Sequence, residues 1–245
     1  MKIVVAGATG TLGRHVVDAV RAAGHEPVAV SRESGVDLTT GAGLTDVLHG
    51  AGSVIDASAT SSTSTKASVQ FFETVTRNLL AAEQAIGVTH HVAVSIIGAA
   101  EVNSNYYAGK AAQEQILLAL PSGWSMLRTT QFHEFTEQLV HHGKVGPIQV
   151  VPRMRSQPIA AAEVAAEIVG LAVGEPRGLV QDLAGPREEN MADLVRRLLD
   201  GSGRVVEVPL PGAWGRAMRN GSLLPQPGTR LGTQTYDEWL ATRAR

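Results

Sequence analysis

A tyrosine and a lysine four residues apart open the case for chemistry. They stand in the run Tyr106-Tyr-Ala-Gly-Lys110. On a helix, positions i and i+4 share a face. Free tyrosine titrates near pH ~10 and is a poor proton donor or acceptor at neutral pH. A nearby ammonium favours the phenolate and lowers that value. Paired in this way, Tyr106 can serve as general acid to a developing alkoxide, with Lys110 tuning it. Tyr107 needs a different lysine geometry and ranks below Tyr106.

The second constellation is rich in glycine. The β-branched run Lys2-Ile-Val-Val-Ala6 leads straight into Gly7-Ala-Thr9-Gly10-Thr11-Leu12-Gly13-Arg14, and a helical pattern follows. In GxxGxxG between a strand and a helix, the first glycine allows a sharp turn. The second lets backbone approach a pyrophosphate, and the third lets the helix pack on the strand. The helix N-terminus then offers free N–H groups and partial positive charge to phosphates. A P-loop is excluded, because the Gly-Lys-Ser/Thr ending is missing. The turn predicts a bound dinucleotide.

The end of the next strand, Val28-Ala-Val-Ser31-Arg32-Glu33, bears on which dinucleotide. NAD binders place an acid there for the ribose hydroxyls. Ser31 occupies that position, and the Arg32 guanidinium suits a 2′-phosphate. Arg14 is within reach of the same group. The expected cofactor is NADP(H), with NAD(H) as the alternative, since Glu33 is one position further on.

Other candidates carry less. His133 follows the strand beginning at Trp124 and could give a proton to a substrate carbonyl, with Gln131 and Phe132 lining a pocket. His133-Glu134 begins like HExxH, but the fifth residue is Glu137, so the zinc motif fails. The neighbours His90-His91 and His141-His142 point in different directions and make no natural metal clamp. The chain has no cysteine, which removes disulfides, thiolate metal sites and cysteine nucleophiles together. No metal is expected.

These residues need a framework. The 245 residues suffice for one large domain or one and a half. Short apolar runs alternate with helical patterns: strands at 27–30, 53–57, 91–95 and 124–127, helices at 12–23, 44–48, 69–86 and 106–120. Val36-Asp37-Leu38 reads as a very short strand, and Ser58 to Thr65 as a loop. This alternation predicts an α/β fold, a doubly wound parallel sheet of Rossmann type. Past Gln131, glycines and prolines break the rhythm. Residues 1–130 are expected to form the dinucleotide-binding domain, and 131–245 a small dependent substrate-binding lobe packed on the sheet.

Charge and hydropathy narrow the partners. Lys plus Arg number 21 against 23 Asp plus Glu, for a net charge of -2. With no basic block, a nucleic-acid surface is not expected. The apolar run after Lys2 is too short for a signal peptide, and Glu163 and Glu167 interrupt the longest apolar stretch. The expectation is a cytoplasmic protein off the membrane, acting on a small molecule. Its oligomeric state stays open.

The GATGTLG turn, the arginine after the second strand and the YxxxK pair together resemble the short-chain dehydrogenase/reductase superfamily. The turn spacing is that of its extended and atypical branches, and the closer resemblance is to NmrA-like NAD(P)-binding proteins. Trp124 to His133 is similar to that group's strand and substrate loop. Gly232-Thr-Gln-Thr-Tyr-Asp-Glu-Trp239-Leu resembles a C-terminal signature of one of its bacterial subgroups. The resemblance implies that Asp37 and Leu38 flank the adenine, that Ala57 and Ser58 pass along the cofactor, and that Lys110 holds the nicotinamide ribose. It also implies a Ser or Thr beside the Tyr–Lys pair. Ser95 is the candidate, although extended-family spacing points two positions later, to Ile97. Three activities are compatible with this likeness. The first is reduction of a small carbonyl or quinone-like compound by NADPH. The others are NADP(H) sensing without turnover and epimerase/dehydratase chemistry.

Overall fold

Successive residues of a strand face opposite sides of a sheet, so a strand apolar at every position must be covered on both faces. The first strand meets that condition. The computed structural model describes residues 1–243. In it β1 (Lys2–Ala6) turns Ile3 and Val5 toward α1 (Thr11–Ala22) and α7 (Ala161–Ala172). Val4 and Ala6 face α2 (Leu44–Leu48) and α3 (Thr65–Ile86). The strands β2 (Glu26–Val30), β3 (Ala51–Asp56), β4 (His91–Ile96) and β5 (Trp124–Thr129) complete the first half. Their order is β2-β1-β3-β4-β5, with every pairing parallel. The chain runs from β1 outward to β2 and then crosses back to β3. The switch point therefore lies between β1 and β3, and ligands bind at the carboxyl ends there.

Local chemistry sets the helix ends. Helix α1 buries Leu12, Val16, Val17 and Val20 and stops at Gly24, whose φ of 78° suits a left-handed cap. Helix α3 begins four residues before the expected start. Ser64, in the Ser/Thr stretch taken for loop, accepts from Ala67 N–H at 3.4 Å and caps it. Val36-Asp37-Leu38 forms no strand. Asp37 makes a single bridge to Ala42, and its carboxylate is spent on a local turn.

The second half does not stand apart from the sheet. After α4 (Ala99–Val102), α5 (Asn105–Leu118) and β5 come α6 (Phe135–His142), β6 (Lys144–Val145), β7 (Ile148–Pro152) and β8 (Arg155–Ser156). Then α7 packs against α1 on the sheet. Of the later strands, β9 (Gly178–Leu179) pairs β5, β10 (Leu183–Ala184) extends the sheet beside β5, and β13 (Arg230–Leu231) closes that edge. A cut at residue 130 thus divides the chain but not the sheet, which draws on both sides of it.

What remains makes the lobe: β11 (Glu189–Asn190), α8 (Met191–Leu198), β12 (Arg204–Val208), α9 (Gly212–Asn220) and α10 (Tyr236–Arg243). Strands β12, β7 and β6 form one small sheet, and β11 with β8 another. A second core lies under them, with Met154, Met191, Leu194, Leu223 and Trp239 buried. Among the described residues, no helix is long and apolar enough to cross a membrane.

Candidate functional site

The glycine turn closes by contacts that a side chain would break. Gly7 has φ 74°, and a Cβ there would stand 2.7 Å from the Ala57 carbonyl oxygen. Gly7 and Ala8 donate to the Val30 carbonyl at 3.1 and 3.2 Å, tying the turn to the end of β2. A Cβ on Gly13 would meet Gly7 O at 2.1 Å, so α1 lies directly on the turn. Gly10 is the N-cap of α1, and no side chain caps that helix. The N–H groups of its first turn are left for an anion.

Around this cradle, Ala57 and Ser58 follow β3 and pack against Gly7. The buried Ser58 hydroxyl has no hydrogen-bond partner. The segment after β2 stands beside the glycine turn, since Gly7 and Ala8 both bond to Val30 at the end of that strand. Asp37 accepts from Thr39 N–H at 2.8 Å and Thr39 Oγ1 at 2.7 Å, and these bonds hold its carboxyl below the usual range. Asn78 on α3, which sequence reasoning missed, donates to the Leu38 and Thr39 carbonyls at 2.9 and 3.0 Å. Ser31 donates its N–H to Ser34 Oγ, which closes a short 3-10 turn and leaves Arg32 exposed, as Arg14 is. A cradle shaped for backbone–phosphate approach and an orphaned hydroxyl beside it fit a dinucleotide. Residues 7–14, Ser31, Arg32, Asp37, Leu38, Ala57 and Ser58 would hold it.

The Tyr–Lys pair stands on α5, at the carboxyl edge of β4. Asn103 and Asn105 both adopt left-handed conformations, φ 38° and 52°, and the chain bends there between α4 and α5. Asn105 N–H donates to Thr65 Oγ1 at 2.8 Å, so α5 and α3 start together. A Cβ on Gly109 would stand 2.5 Å from Phe72, which draws the two helices close. The Phe72 ring meets Tyr106 edge-on at 5.4 Å and lies 4.3 Å from Lys110 Nζ. The expected shared face is present.

The expected tuning is not. Lys110 turns inward, donating to the Val94 carbonyl and Gln113 Oε1, both at 2.9 Å. Burial draws its pKa down to about 8, against the opposing charges of Asp56 and Glu114. Tyr106 moves up, not down: burial first, then the Asp56 charge and Tyr107, push its phenol well above the usual value. Tyr106 therefore stays protonated at neutral pH. Ser95 is buried on β4 with a hydroxyl that has no partner. Ile97 is buried two positions on and donates its N–H to the Thr129 carbonyl.

His133 is not at an open edge. Its Nε2 donates to the Gln234 carbonyl at 3.1 Å, and its ring packs on Tyr236 and Trp239 at 5.4 and 5.7 Å. Burial lowers its pKa, which keeps the imidazole neutral. The proton-donor expectation gives way to packing beneath α10. The C-terminal signature makes the same clasp: Tyr236 donates to Thr136 Oγ1, Trp239 to Glu134, and Thr233 to Glu163. Gln131 Nε2 donates to Tyr107 OH at 2.8 Å, and its Oε1 accepts from Ser156 at 2.7 Å. That chain of bonds ties the base of α5 to the lobe. No group of His, Asp and Glu capable of holding a metal occurs among the described residues.

Residues 3–123 match the model of the NAD dependent epimerase/dehydratase family. The match takes in the glycine turn, Asp56 and the Tyr–Lys pair, and spans just under half of the chain. Solved structures share its Rossmann fold along almost the whole length. The NADPH-dependent quinone oxidoreductase of Escherichia coli, solved with NADPH, is 17% identical over 100% of both chains, with a TM-score of 0.73. A short-chain dehydrogenase/reductase superfamily protein of Agrobacterium tumefaciens with bound NAD is 19% identical over 100% of this chain and 96% of that one, at 0.70. The UDP-N-acetylglucosamine 4-epimerase of Bacillus cereus is 17% identical over 99% and 96%, at 0.70. No curated protein sequence matches. The family match and the shared fold support binding of a nicotinamide dinucleotide and oxidoreductase-like chemistry.

Proposed function

We propose that this protein reduces a small carbonyl or quinone-like compound at the expense of NADPH, with Tyr106 as proton donor. The observation that carries the reading is the placement of Tyr106. It lies at the carboxyl edge of the sheet, on one face with Lys110 against the Phe72 ring. In the reductive direction oxygen gains charge and must gain a proton, which a phenol placed at that edge can give. The dinucleotide would supply the hydride. Tyr106 would give its proton to the substrate oxygen as charge develops there. Replacing Tyr106 by Phe is expected to lower turnover roughly tenfold or more with NADPH affinity nearly unchanged. Undiminished turnover in that variant rules Tyr106 out as the acid.

The NADP preference rests on Arg32, which follows Ser31 in the chain, and on Arg14; both are exposed. A bidentate, charge-assisted contact contributes about 1.5–3 kcal/mol. Arg32→Ala is therefore expected to weaken NADPH binding by about tenfold or more and to leave NADH binding within about twofold. Fluorescence titration of both cofactors checks this. Equal losses for the two remove the 2′-phosphate argument.

One observation favours a second reading, an NADP(H)-responsive binding protein. Ile97 occupies the position at which an extended relative carries its hydroxyl, and Lys110 is engaged inward. NADPH absorbance followed with a panel of ketones, aldehydes and quinones separates the two. Tight binding with no consumption by any of them supports the sensor.

A further inference from the structure

Gln113 is polar and fully buried in the middle of α5, where an apolar residue would ordinarily stand. Both ends of its amide are in use. Nε2 donates to Asp56 Oδ2 at 2.8 Å, and Oε1 accepts from Lys110 Nζ at 2.9 Å. Asp56 is fully buried at the end of β3, and its Oδ1 accepts from the Ser58 N–H at 2.9 Å. Lys110 also donates to the Val94 carbonyl. One continuous chain of bonds therefore runs from the cofactor-flanking segment 57–58, through Asp56 and Gln113, to Lys110 and the end of β4.

The chemistry explains why an amide stands between the two charges. A buried ion without compensation is costly, and breaking a buried pair leaves the other charge exposed to that cost. Gln113 presents its donor end to the carboxylate and its acceptor end to the ammonium, so its dipole aligns with both. Reversed, it would oppose both, and the amide orientation is fixed. The remaining groups facing Lys110 are few. Glu114 of α5 adds charge but is bound to Arg128 of β5 at 2.9 and 2.6 Å. Tyr106 stands on its own face, α3 contributes the Phe72 ring, and β4 the Val94 carbonyl.

We infer that Gln113 is a positioning residue, which relays the Asp56 charge to Lys110 and joins the Tyr–Lys pair to the segment at the cofactor's edge. Its effect on turnover rests on the reductase reading above, whereas its effect on the ionisation of Lys110 rests on the geometry alone. Gln113 Oε1 accepts from the Lys110 ammonium, so its loss removes a hydrogen bond to the charged form and lowers the Lys110 pKa.

The test replaces Gln113 by Met, similar in length and without the amide dipole, and by Glu, which keeps the shape. Lysine labelled with 13C at Cε reports each ionisation. The chain has four lysines, and the signal lost in Lys110→Arg identifies the one needed. In Gln113→Met the Lys110 titration is expected to fall by roughly one pH unit or more. In Gln113→Glu it is expected to rise above the wild type. The alkaline limb of NADPH binding should move with it in both variants. An unmoved Lys110 titration in a folded variant, whatever its melting temperature, overturns the proposal and leaves Gln113 a packing residue. If Gln113→Met fails to fold, the direction seen in Gln113→Glu decides. Absence of turnover in the wild type would defeat the reductase reading and leave the lysine titration to judge Gln113 by itself.

Discussion

Gly13→Ala is expected to lower stability by about 1–3 kcal/mol and to weaken dinucleotide binding by roughly tenfold or more. The added Cβ would stand 2.1 Å from Gly7 O and 2.8 Å from Ala8 Cα. Both are backbone atoms of the turn, so no flexible side chain can yield and α1 itself must move. Moving α1 carries away the first-turn N–H groups that would hold a phosphate. The turn cannot follow, because Gly7 is pressed against Ala57 on its other side. For a chain of this length each kcal/mol corresponds to about 2–4 °C in melting temperature. Gly170→Ala in α7 is the control. A Cβ there meets nothing within 4 Å, so it should stabilise by about 0.5–1 kcal/mol without touching binding. Thermal unfolding with and without NADPH, together with NADPH titration, measures both effects. An unchanged NADPH affinity in Gly13→Ala would mean that the turn is no phosphate cradle.

That turn was legible because its determinants are local. A β-branched run, three glycines and an amphipathic helix fall within some twenty consecutive residues, and each constrains its neighbour. The alternation of strands and helices up to Trp124 was legible for the same reason. The destination of the later segments was not. Gly178-Leu179 and Leu183-Ala184 are too short to carry a period, and only the exposed edge of β5 decides that they join the main sheet. The start of α3 was hidden because Ser64, an effective N-cap, lay among other Ser and Thr residues that read as loop.

The site divides along the same line. The i, i+4 spacing put Tyr106 and Lys110 on one face, but spacing says nothing about where a long side chain ends. Lys110 ends on Val94 and Gln113, and the partner that compensates it, Asp56, is more than fifty positions earlier in the chain. A buried glutamine in a helix leaves no periodic trace, so Gln113 could only be found once α5 was laid beside β3. His133 was misplaced by the complementary error. Its position after β5 is at the ligand edge of the sheet, but α10, a hundred residues later, folds over it and takes both its face and its Nε2.

Glu83→Gln is expected to cost about 1–3 kcal/mol near pH 6, and the cost should shrink as pH rises. His91 opens β4 with its imidazole buried, and its Nδ1 donates to Glu83 Oε1 of α3 at 2.8 Å. Burial alone would lower the imidazole pKa. The Glu83 carboxylate outweighs burial by charge and hydrogen bond, Asp56 adds to it, and His91 is raised above its ordinary value. In the pH range between the unfolded and folded values, the folded protein holds a proton that the unfolded chain releases. Stability from this pair is therefore complete below the ordinary histidine value and is lost as pH climbs through the folded one. A glutamine still accepts the hydrogen bond but supplies no charge. Burial then dominates, so His91 in the variant is neutral, and its stability no longer falls with rising pH through this window. Denaturant unfolding of both proteins from pH 5.5 to 9 measures the gap. A gap that is constant across that range would show that His91 and Glu83 are held as a neutral hydrogen-bonded pair, with no ionic contribution to joining β4 and α3.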